Sequence, residues 1–281
     1  MGGFNPQRLK PKTHFLNYGT TESRALIRIL SSPRDQLCSR PFHYLWWGVI
    51  EFVESPVVPT PENGRNGPGA LSLYSMRSRF PSSGDQVLIQ IVDSALDDVA
   101  RRSGKWLVCG PGCTQCCIGA FPINQLDAAR LRRGLGALEI EAPERAARIR
   151  ERAREAVDRL SSEFPGDPVS GILHEGEEAT QKFSDFANNE PCPVLDPESG
   201  LCELYESRPM TCRVFGPPVR SEDGLGVCEL CFQGASNEEI AACEMKPDPD
   251  DLESALLEEV ETSTDVRGNT IIAFCLASDR I

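Results

Sequence analysis

Apolar side chains recur at helical spacing between residues 82 and 100. Ser83 is a suitable N-cap, and the apolar positions that follow it are Leu88, Ile91, Val92, Ala95, Leu96 and Val99. Residues three and four positions apart lie on the same face of an α-helix. The pattern therefore predicts an amphipathic helix that begins near Ser83 and buries this face.

Two more helices are predicted in the middle of the chain. Residues 125–134 form a short helix whose apolar side carries Leu126, Ala129 and Leu131. Pro143 then favours the start of a longer helix over residues 144–164. The apolar stripe of this second helix consists of Ile149, Ala153, Ala156, Val157 and Leu160.

The remaining elements are shorter. Periodicity fades over residues 165–186, which we predict to be a loop. Residues 236–239 read Ser-Asn-Glu-Glu, a capping-box signature for a short helix, and residues 248–262 predict another helix. The one convincing strand is 269–274, next to Cys275, which we expect to be a core thiol. The chain is thus predicted to be mainly α, with little β.

The first 75 residues have no sustained periodicity, although they hold nine of the nineteen aromatic residues. Their net charge is +3, whereas residues 76–281 carry −16. We therefore predict an irregular N-terminal extension over 1–75 and a folded domain over 76–281. Two explanations of the extension stay open: a Pro-rich segment packed loosely on the domain, or conceptual translation of DNA upstream of a start codon at Met76.

Charge and hydropathy exclude several classes of partner. The chain has 29 basic and 42 acidic side chains, and a net charge of −13 repels nucleic acid and anionic lipid. The densest apolar stretch, 44–53, is about ten residues long and contains Glu51, whereas a membrane span needs about 20 residues. No segment resembles a signal peptide. We expect a cytoplasmic protein that binds neither nucleic acid nor membrane.

Cysteine is concentrated in the second part of the chain. The segment Cys109-Gly-Pro-Gly-Cys113-Thr-Gln-Cys116-Cys117 holds four thiols in nine residues. A CxxC pair and three evenly spaced cysteines follow it. In a reducing compartment, closely spaced cysteines are more often metal ligands or redox groups than disulfides. The predicted metal ligands are Cys109, Cys113, Cys116, Cys117, Cys192, Cys202, Cys212, Cys228 and Cys231.

The donor types narrow the choice of metal. Adjacent Cys116 and Cys117 are difficult to place on one ion, so a polynuclear site, or one ligand beside one core thiol, fits better. His14 and His43 lie in the extension and His174 in the predicted loop, so the site is expected to be all-sulfur. Thiolates suit structural zinc or an iron-sulfur cluster and disfavour an open hydrolytic zinc centre. Zinc and iron-sulfur stay undecided, and we expect a small, loop-rich, metal-stabilised domain.

Both cysteine blocks resemble the YkgJ-type cysteine cluster family, the CxxCxxCC zinc- or iron-chelating domain. The second block is Cys192-Pro, followed by Cys-x-x-Tyr-x-x-Arg-Pro-x-x-Cys-Arg from Cys202 to Arg213. The resemblance covers about residues 88–243 and implies that the cysteines bind a metal. One branch of the family is similar to flagellin lysine N-methylases. This likeness implies an alternative, an iron-sulfur enzyme that uses S-adenosylmethionine to methylate a protein.

One departure from the family pattern matters. Three residues, not two, separate Cys109 from Cys113, which makes Cys109 the least secure ligand and creates a spacing similar to that of radical S-adenosylmethionine enzymes. Gln115 stands where those enzymes usually have an aromatic residue, and the 164 residues after Cys117 show little strand-helix alternation. We therefore disfavour a radical enzyme. A third alternative stays open, in which the thiols are structural and bind no metal.

The side chains beside the second block have simpler expectations. Tyr205 and Phe215 are predicted to be core aromatics. Arg208 and Arg213 either orient a sulfur-rich site or an acidic substrate, or form ion pairs with Asp196, Glu203 or Glu206. The chain has no Ser-His-Asp set, Walker loop or GxGxxG motif that would indicate nucleophilic or nucleotide chemistry.

Overall fold

The structure is a computed structural model that describes residues 27–30, 82–221 and 224–277. The chain divides into a unit of Met1–Ser31 with Phe80–Ile281 and a unit of Ser32–Arg79, and every described residue belongs to the first. Cys38 and most of the predicted extension fall outside the described residues. The domain boundary at residue 75 therefore stays a prediction.

Helix α1 spans Ser82–Ser103 and confirms the helix predicted from the apolar pattern. Its buried face is formed by Leu88, Val92 and Val99, each 0% exposed. Acidic Asp85 lies in the first turn, and two arginines lie in the last turn. Both placements complement the helix dipole. Helix α1 therefore packs one apolar face against the rest of the fold.

Helices α2 (Gln125–Glu141) and α3 (Pro143–Leu160) are separated by a single residue and pack against each other. The predicted end of α2 at residue 134 is wrong. The helix continues because Leu135 and Leu138 extend its buried face beyond Gly134. A Cβ at Gly134 would lie 2.2 Å from Oγ of Ser207, so the glycine lets a neighbouring turn approach the helix.

The loop predicted over residues 165–186 is only partly correct. The segment contains two short antiparallel strands, β2 (Gly166–Asp167) and β3 (Ile172–Leu173), and helix α4 (Glu177–Asp185). Phe183 is the buried side chain of α4. The sequence of α4 therefore has too few regularly spaced apolar residues to predict a helix. His174 is exposed, as expected for a residue outside the core.

Helices α5 (Met210–Val214), α6 (Asn237–Ala242) and α7 (Leu252–Thr264) follow in chain order. The capping box predicted at the start of α6 is confirmed. Helix α7 begins four residues later than predicted. Asp248 lies before the helix, and its side chain accepts hydrogen bonds from the first N–H groups of the helix. The Asp248 carboxylate accepts hydrogen bonds from the N–H groups of Leu252 and Glu253, at 3.0 and 2.8 Å.

The strand predicted over residues 269–274 is wrong, because Ile272–Ala277 forms helix α8. This helix packs on α3 and α2 and buries Ile272, Cys275 and Leu276 against them. A short apolar run has no period that distinguishes a buried helix from a buried strand. The neighbouring helices, which supply an apolar environment around α8, decide the outcome.

A three-stranded antiparallel sheet contains β1 (Ile27–Leu30), β4 (Val219–Ser221) and β5 (Gly224–Cys228). The strand order is β1-β5-β4, and Ile27 is paired with Cys228 at the end of β5. With its short strands and eight helices among the described residues, the fold is mainly α, as predicted. No described helix is long and apolar enough to cross a membrane.

The buried side chains form separate cores. The sheet-side core joins α1 to the strands and to α7 and includes Val227, Cys228, Cys231 and Phe232. The helical core joins α2, α3 and α8, and Cys192 and Cys202 pack against its edge. A third cluster is rich in phenylalanine, with Phe164 stacked on Phe274 at 4.2 Å between ring centroids. Cysteines therefore lie at the borders of two different cores.

Candidate metal centre

Five of the predicted ligands surround one small pocket. They come from the first cysteine block and from the CxxC pair, which are more than 100 residues apart in the chain. The pocket is lined by Cys109, Cys113, Cys116, Cys228 and Cys231, together with Val108, Gln115, Phe215 and Leu230. The fold therefore brings two cysteine motifs to one place.

The first cysteine block is a tight loop followed by a 3₁₀ turn. The N–H of Cys113 donates a 3.0 Å hydrogen bond to the carbonyl of Gly110, and Gly112 has a φ of 88°. Residues Gln115–Cys117 then form a 3₁₀ turn and do not continue into an α-helix. The glycines therefore permit the predicted turn that brings Cys109 and Cys113 to the same pocket.

The CxxC pair follows strand β5 through another turn, in which the N–H of Cys231 donates a 2.9 Å hydrogen bond to the carbonyl of Cys228. The Cys228 thiol donates to the sulfur of Cys231, which lowers the pKa of Cys231 to about 7 and raises that of Cys228. Backbone N–H groups of Val108 and Cys109 also lower the pKa of Cys231. Cys231 therefore loses its proton more easily than its partner Cys228.

Cys109 lies close to the chain that leads into β4. Gly216 has a φ of 118°, and a Cβ there would lie 3.2 Å from Cβ of Cys109 and 3.4 Å from its sulfur. The protein atoms packed around the sulfur, together with the Cys116, Cys113 and Cys228 thiols, raise the pKa of Cys109 to about 11. The Cys109 sulfur thus shares the pocket with other thiols, although the residue is exposed to solvent.

One of the three cysteines of the second block, Cys192, contacts the first block through the backbone. The N–H of Cys192 donates a 2.8 Å hydrogen bond to the carbonyl of Cys117. Cys202 pairs with Leu195 in an isolated antiparallel bridge, which folds the chain back beside Cys192. Cys212 lies in α5. These contacts place Cys192 next to the first block and Cys202 close to Cys192 in the fold.

Burial dominates the protonation of these three thiols. Burial, together with the nearby Cys202 and Cys116 thiols, raises the pKa of Cys192 to about 12. Burial also raises the pKa of Cys202 and of Cys212, and the Cys116 thiol adds to both effects. A buried thiol that is hard to ionise by itself becomes a thiolate when a cation takes the place of its proton.

Cys116 and Cys117 have different positions although they are adjacent. Cys116 lines the pocket, whereas Cys117 is not among the lining residues. The Cys116 thiol donates a hydrogen bond to the sulfur of Cys117, which raises the pKa of Cys116. The two adjacent sulfurs therefore have different surroundings.

Arg208 supplies positive charge near both groups of thiols. Its side chain is 8% exposed, stacks on the Tyr205 ring at 3.7 Å and donates a 3.0 Å hydrogen bond to the Tyr205 carbonyl. Burial raises the pKa values of Cys109 and Cys202, and the Arg208 guanidinium lowers both. No described carboxylate forms an ion pair with Arg208, so the predicted ion pair is wrong for this residue.

Arg213 instead has a structural role. Its guanidinium pairs with Asp93 at 2.7 Å and donates to the carbonyl of Glu206. The expected partners were carboxylates of the second block, whereas the observed carboxylate lies on α1. Tyr205 is 54% exposed, so its predicted place in the core is wrong, while Phe215 packs against the sheet-side core as predicted.

The donor set fits a soft or borderline metal ion. All eleven described cysteines are free thiols, and His174, the one described histidine, is exposed and outside the group. Zinc and iron accept several thiolates in this way. Among the described residues, no three Cys, His, Asp or Glu side chains already surround a single point at ligand distance. Binding therefore requires proton loss and a contraction of the thiols around the ion.

Two other described cysteines are core residues. Cys275 is 1% exposed, and its thiol donates to the carbonyl of Ala128 at 3.5 Å, which confirms the predicted core thiol. Burial raises the pKa of Cys275 to about 11. Cys243 is 6% exposed within the sheet-side core. Neither lines the pocket, so both provide controls for the predicted ligands.

Sequence analysis did not identify the buried polar network behind the second block. Arg130 is 4% exposed and pairs with Asp85 at 2.6 Å and with Asp127. Asp127 also accepts a hydrogen bond from Met210 at the start of α5. Charged residues on a helix usually face solvent, so their positions in the sequence carry no signal for this arrangement.

Comparison with known proteins agrees with the geometry. Residues 108–232 match the family model CxxCxxCC, described as "Putative zinc- or iron-chelating domain". The matched segment begins one residue before Cys109 and ends one residue after Cys231, so it includes all nine predicted ligands. It is shorter than the predicted range of 88–243. No curated protein and no solved structure matches the chain.

Proposed function

We propose that this protein binds zinc or iron through cysteine thiolates, since residues 108–232 match the model of the CxxCxxCC zinc- or iron-chelating domain. The observation that carries the proposal is the convergence of Cys109, Cys113, Cys116, Cys228 and Cys231 on one pocket. Thiols that served only as apolar core residues would have no reason to meet there. The metal would hold the loop of the first block against the end of β5.

The protein atoms around the thiols support a bound cation. Each thiol loses a proton when it binds the metal. Burial disfavours the resulting negative charge, and the positive charge of the bound metal ion compensates for it. N–H groups of Val108 and Cys109 stabilise the Cys231 sulfur, and Arg208 offsets negative charge beside Cys109 and Cys202. Groups of this kind orient the ligands and set the affinity of a metal site.

We include a cytoplasmic location in the proposal. A site built from many closely spaced thiolates is stable only where thiols stay reduced.

The test is metal analysis of the full chain purified without oxygen. We expect zinc, or iron with acid-labile sulfide, in stoichiometric amount. Colourless zinc protein would identify a structural or metal-handling module, and brown protein with sulfide would identify an iron-sulfur centre. The proposal is wrong if the reduced protein contains neither metal and takes up neither one when it is added.

Cys113→Ser should lower the metal content and the thermal stability together, since a structural metal site contributes folding free energy on the order of 10 kcal/mol. The matched control is Cys275→Ser, which alters a buried thiol outside the pocket. It should lower stability through packing but keep the full metal content. Equal metal content in both variants would assign no metal-binding role to Cys113.

A further inference from the structure

The CxxC pair begins at the end of the central strand of the three-stranded sheet. Strand β5 lies between β1 and β4, and Cys228, which lines the pocket, is its last residue. Strand β4 directly precedes β5 in the chain, whereas β1 comes from the N-terminal segment, far from both in sequence. One edge of the strand that carries Cys228 is therefore covered by a distant part of the chain.

The register places β1 directly beside the start of the CxxC turn. Ile27 is paired with Cys228, and Leu30 is paired with Leu225 near the beginning of β5. Strand β1 therefore supports β5 up to the residue at which the turn begins. Val227 is 1% exposed within the sheet-side core, so the supported part of β5 is also a packed part of the fold.

Backbone hydrogen bonds show which groups of β5 face β1. The N–H of Cys228 donates to the carbonyl of Gly216, in the segment that leads into β4. Successive residues of an antiparallel ladder direct their backbone groups to opposite edges of the strand. Val227 therefore directs its N–H and C=O toward β1, where its partner is Arg28. By the same alternation, the N–H of Ile29 faces away from β5.

Two further contacts hold the CxxC turn. The N–H of Phe232, which follows the turn, donates a 2.7 Å hydrogen bond to the carbonyl of Trp106, close to the first cysteine block. Gly216 accepts the 3.4 Å hydrogen bond from Cys228 and lies against Cys109. Both acceptors follow α1 in the chain. Strand β1 is the support that the N-terminal segment supplies.

We propose that β1 is a clamp that holds the CxxC turn in its metal-binding position, so that the N-terminal segment controls how slowly the pocket releases its metal. The proposal rests on the proposed function and adds a positioning segment to its site. When β1 leaves, the backbone of Val227 loses its partner on one edge of β5, and the adjacent Cys228 is held from the other edge only. Metal then leaves faster, although the amount bound at saturation stays the same.

The experiment compares two adjacent proline substitutions in the full chain. Arg28→Pro removes the N–H that faces Val227, whereas Ile29→Pro removes an N–H that faces away from β5. Proline is tolerated on an edge strand where its missing N–H would face outward. The proteins are loaded with Zn²⁺ and mixed with a chromophoric chelator, and the rate of zinc release is measured under conditions in which each variant is folded.

Arg28→Pro should release zinc roughly tenfold faster than wild type, the factor that corresponds to losing one backbone hydrogen bond. Ile29→Pro should release it at nearly the wild-type rate. Arg28→Thr removes the same charge but keeps the N–H and the strand propensity, so it should also behave like wild type. Arg28→Gly weakens the strand without removing the N–H and provides a milder variant, with a smaller acceleration.

A second comparison separates positioning from a general loss of stability. Ala153→Gly alters a fully buried residue of α3 in the helical core, whereas Cys228 and Cys231 belong to the sheet-side core. Glycine in a helix interior destabilises the fold, so this variant should unfold at lower urea concentration but release zinc at the wild-type rate. Hydrogen exchange at the N–H of Val227 should become faster in Arg28→Pro and stay slow in Ala153→Gly.

The outcomes distinguish the clamp from the proposed function. A wild-type chain that binds neither zinc nor iron overturns the proposed function. If the chain binds zinc but Arg28→Pro releases it at the wild-type rate, the clamp is wrong and the proposed function stands. Equal acceleration in Ile29→Pro or in Ala153→Gly also overturns the clamp, because the effect would then not depend on the bond between β1 and β5.

Discussion

The N–H of Met210 donates a 2.9 Å hydrogen bond to Oδ1 of Asp127, a buried carboxylate one helix away. Met210 is the first residue of α5, and Asp127 lies in the first turn of α2. The first N–H groups of a helix have no partner within the helix, so Asp127 caps α5 from outside it. Through this bond the buried ion pairs of Arg130 fix the helix that carries Cys212.

Asp127→Ala should therefore destabilise the protein strongly. The variant removes the cap of α5 and leaves the buried Arg130 with fewer partners, and breaking a buried ion pair costs about 3 kcal/mol or more. Urea denaturation of the metal-loaded protein measures the loss. The control is Asp98→Ala, which removes exposed ion pairs on α1 and should leave the unfolding free energy nearly unchanged. Equal effects of the two variants would contradict the structural role of Asp127.

Arg208→Gln should weaken metal binding and move the pH of half-release upward. The guanidinium lowers the pKa values of Cys109 and Cys202, which burial raises. Without it both thiols hold their protons more tightly, so metal is lost at a less acidic pH. We expect roughly a tenfold weaker affinity from removing one nearby charge.

Metal release during acid titration, followed with a chromophoric chelator, measures this shift. Arg220→Gln is the control, since it also removes one positive charge but acts at an exposed pair with Glu244, at 2.5 Å. The same upward shift in both variants would show that net charge matters and the position of Arg208 does not.

Gly216→Ala should disturb the pocket site in particular. The left-handed φ of 118° strains any side chain, and the new Cβ would press against Cβ of Cys109 at 3.2 Å. Gly234→Ala is a matched control with a φ of 81° and no neighbouring atom within 4 Å. Both variants should lose about 1 to 2 kcal/mol of stability through backbone strain. Zinc affinity should fall only in Gly216→Ala, as measured by competition with a chelator.

Glu253→Gln should stabilise the protein at high pH. Burial raises the pKa of Glu253 from 4.5 to about 7, with a further contribution from Asp127. Between pH 4.5 and about pH 7, Glu253 is protonated more often in the folded state than in the unfolded state. The free energy of unfolding therefore falls as the pH rises through this range.

The amide side chain removes this dependence and keeps an acceptor for Asn124, which donates to Glu253 at 3.0 Å. Relative to wild type, the variant should gain up to about 3 kcal/mol at pH 8 and little at pH 4. Thermal unfolding at both pH values measures the difference. Glu258→Gln, on the exposed side of the same helix, is the control, and an equal gain there would contradict the role of burial.

A chain that starts at Met76 should keep the full metal content, because all nine predicted ligands lie between Cys109 and Cys231. It loses β1, which pairs with β5 from Ile27 to Leu30, so its stability should fall. A chain that starts at residue 21 and retains β1 is the comparison. Loss of metal from the shorter chain would show that the first 75 residues belong to the metal-binding domain.

Local patterns predicted several helices but not their ends. The stripe of α1 and the capping box of α6 are encoded within a few residues, and both were confirmed. The second half of the strand predicted at residues 269–274 belongs to helix α8, which spans Ile272–Ala277. The six apolar residues of α8 carry no reliable period, and the contact with α3 decides their conformation. Helix α4 was missed because it buries only one strong apolar side chain, Phe183.

The sequence by itself determined that thiols are the abundant candidate donor atoms of this protein. The number of cysteines and their separation along the chain are local properties, so they are visible without the fold. The tertiary structure alone decided which thiols meet. Cys109 reaches Cys231 across more than 100 residues, and Cys192 lies beside Cys117 through a backbone hydrogen bond. Such long-range contacts depend on how two cores pack, and no local pattern of residues records that packing.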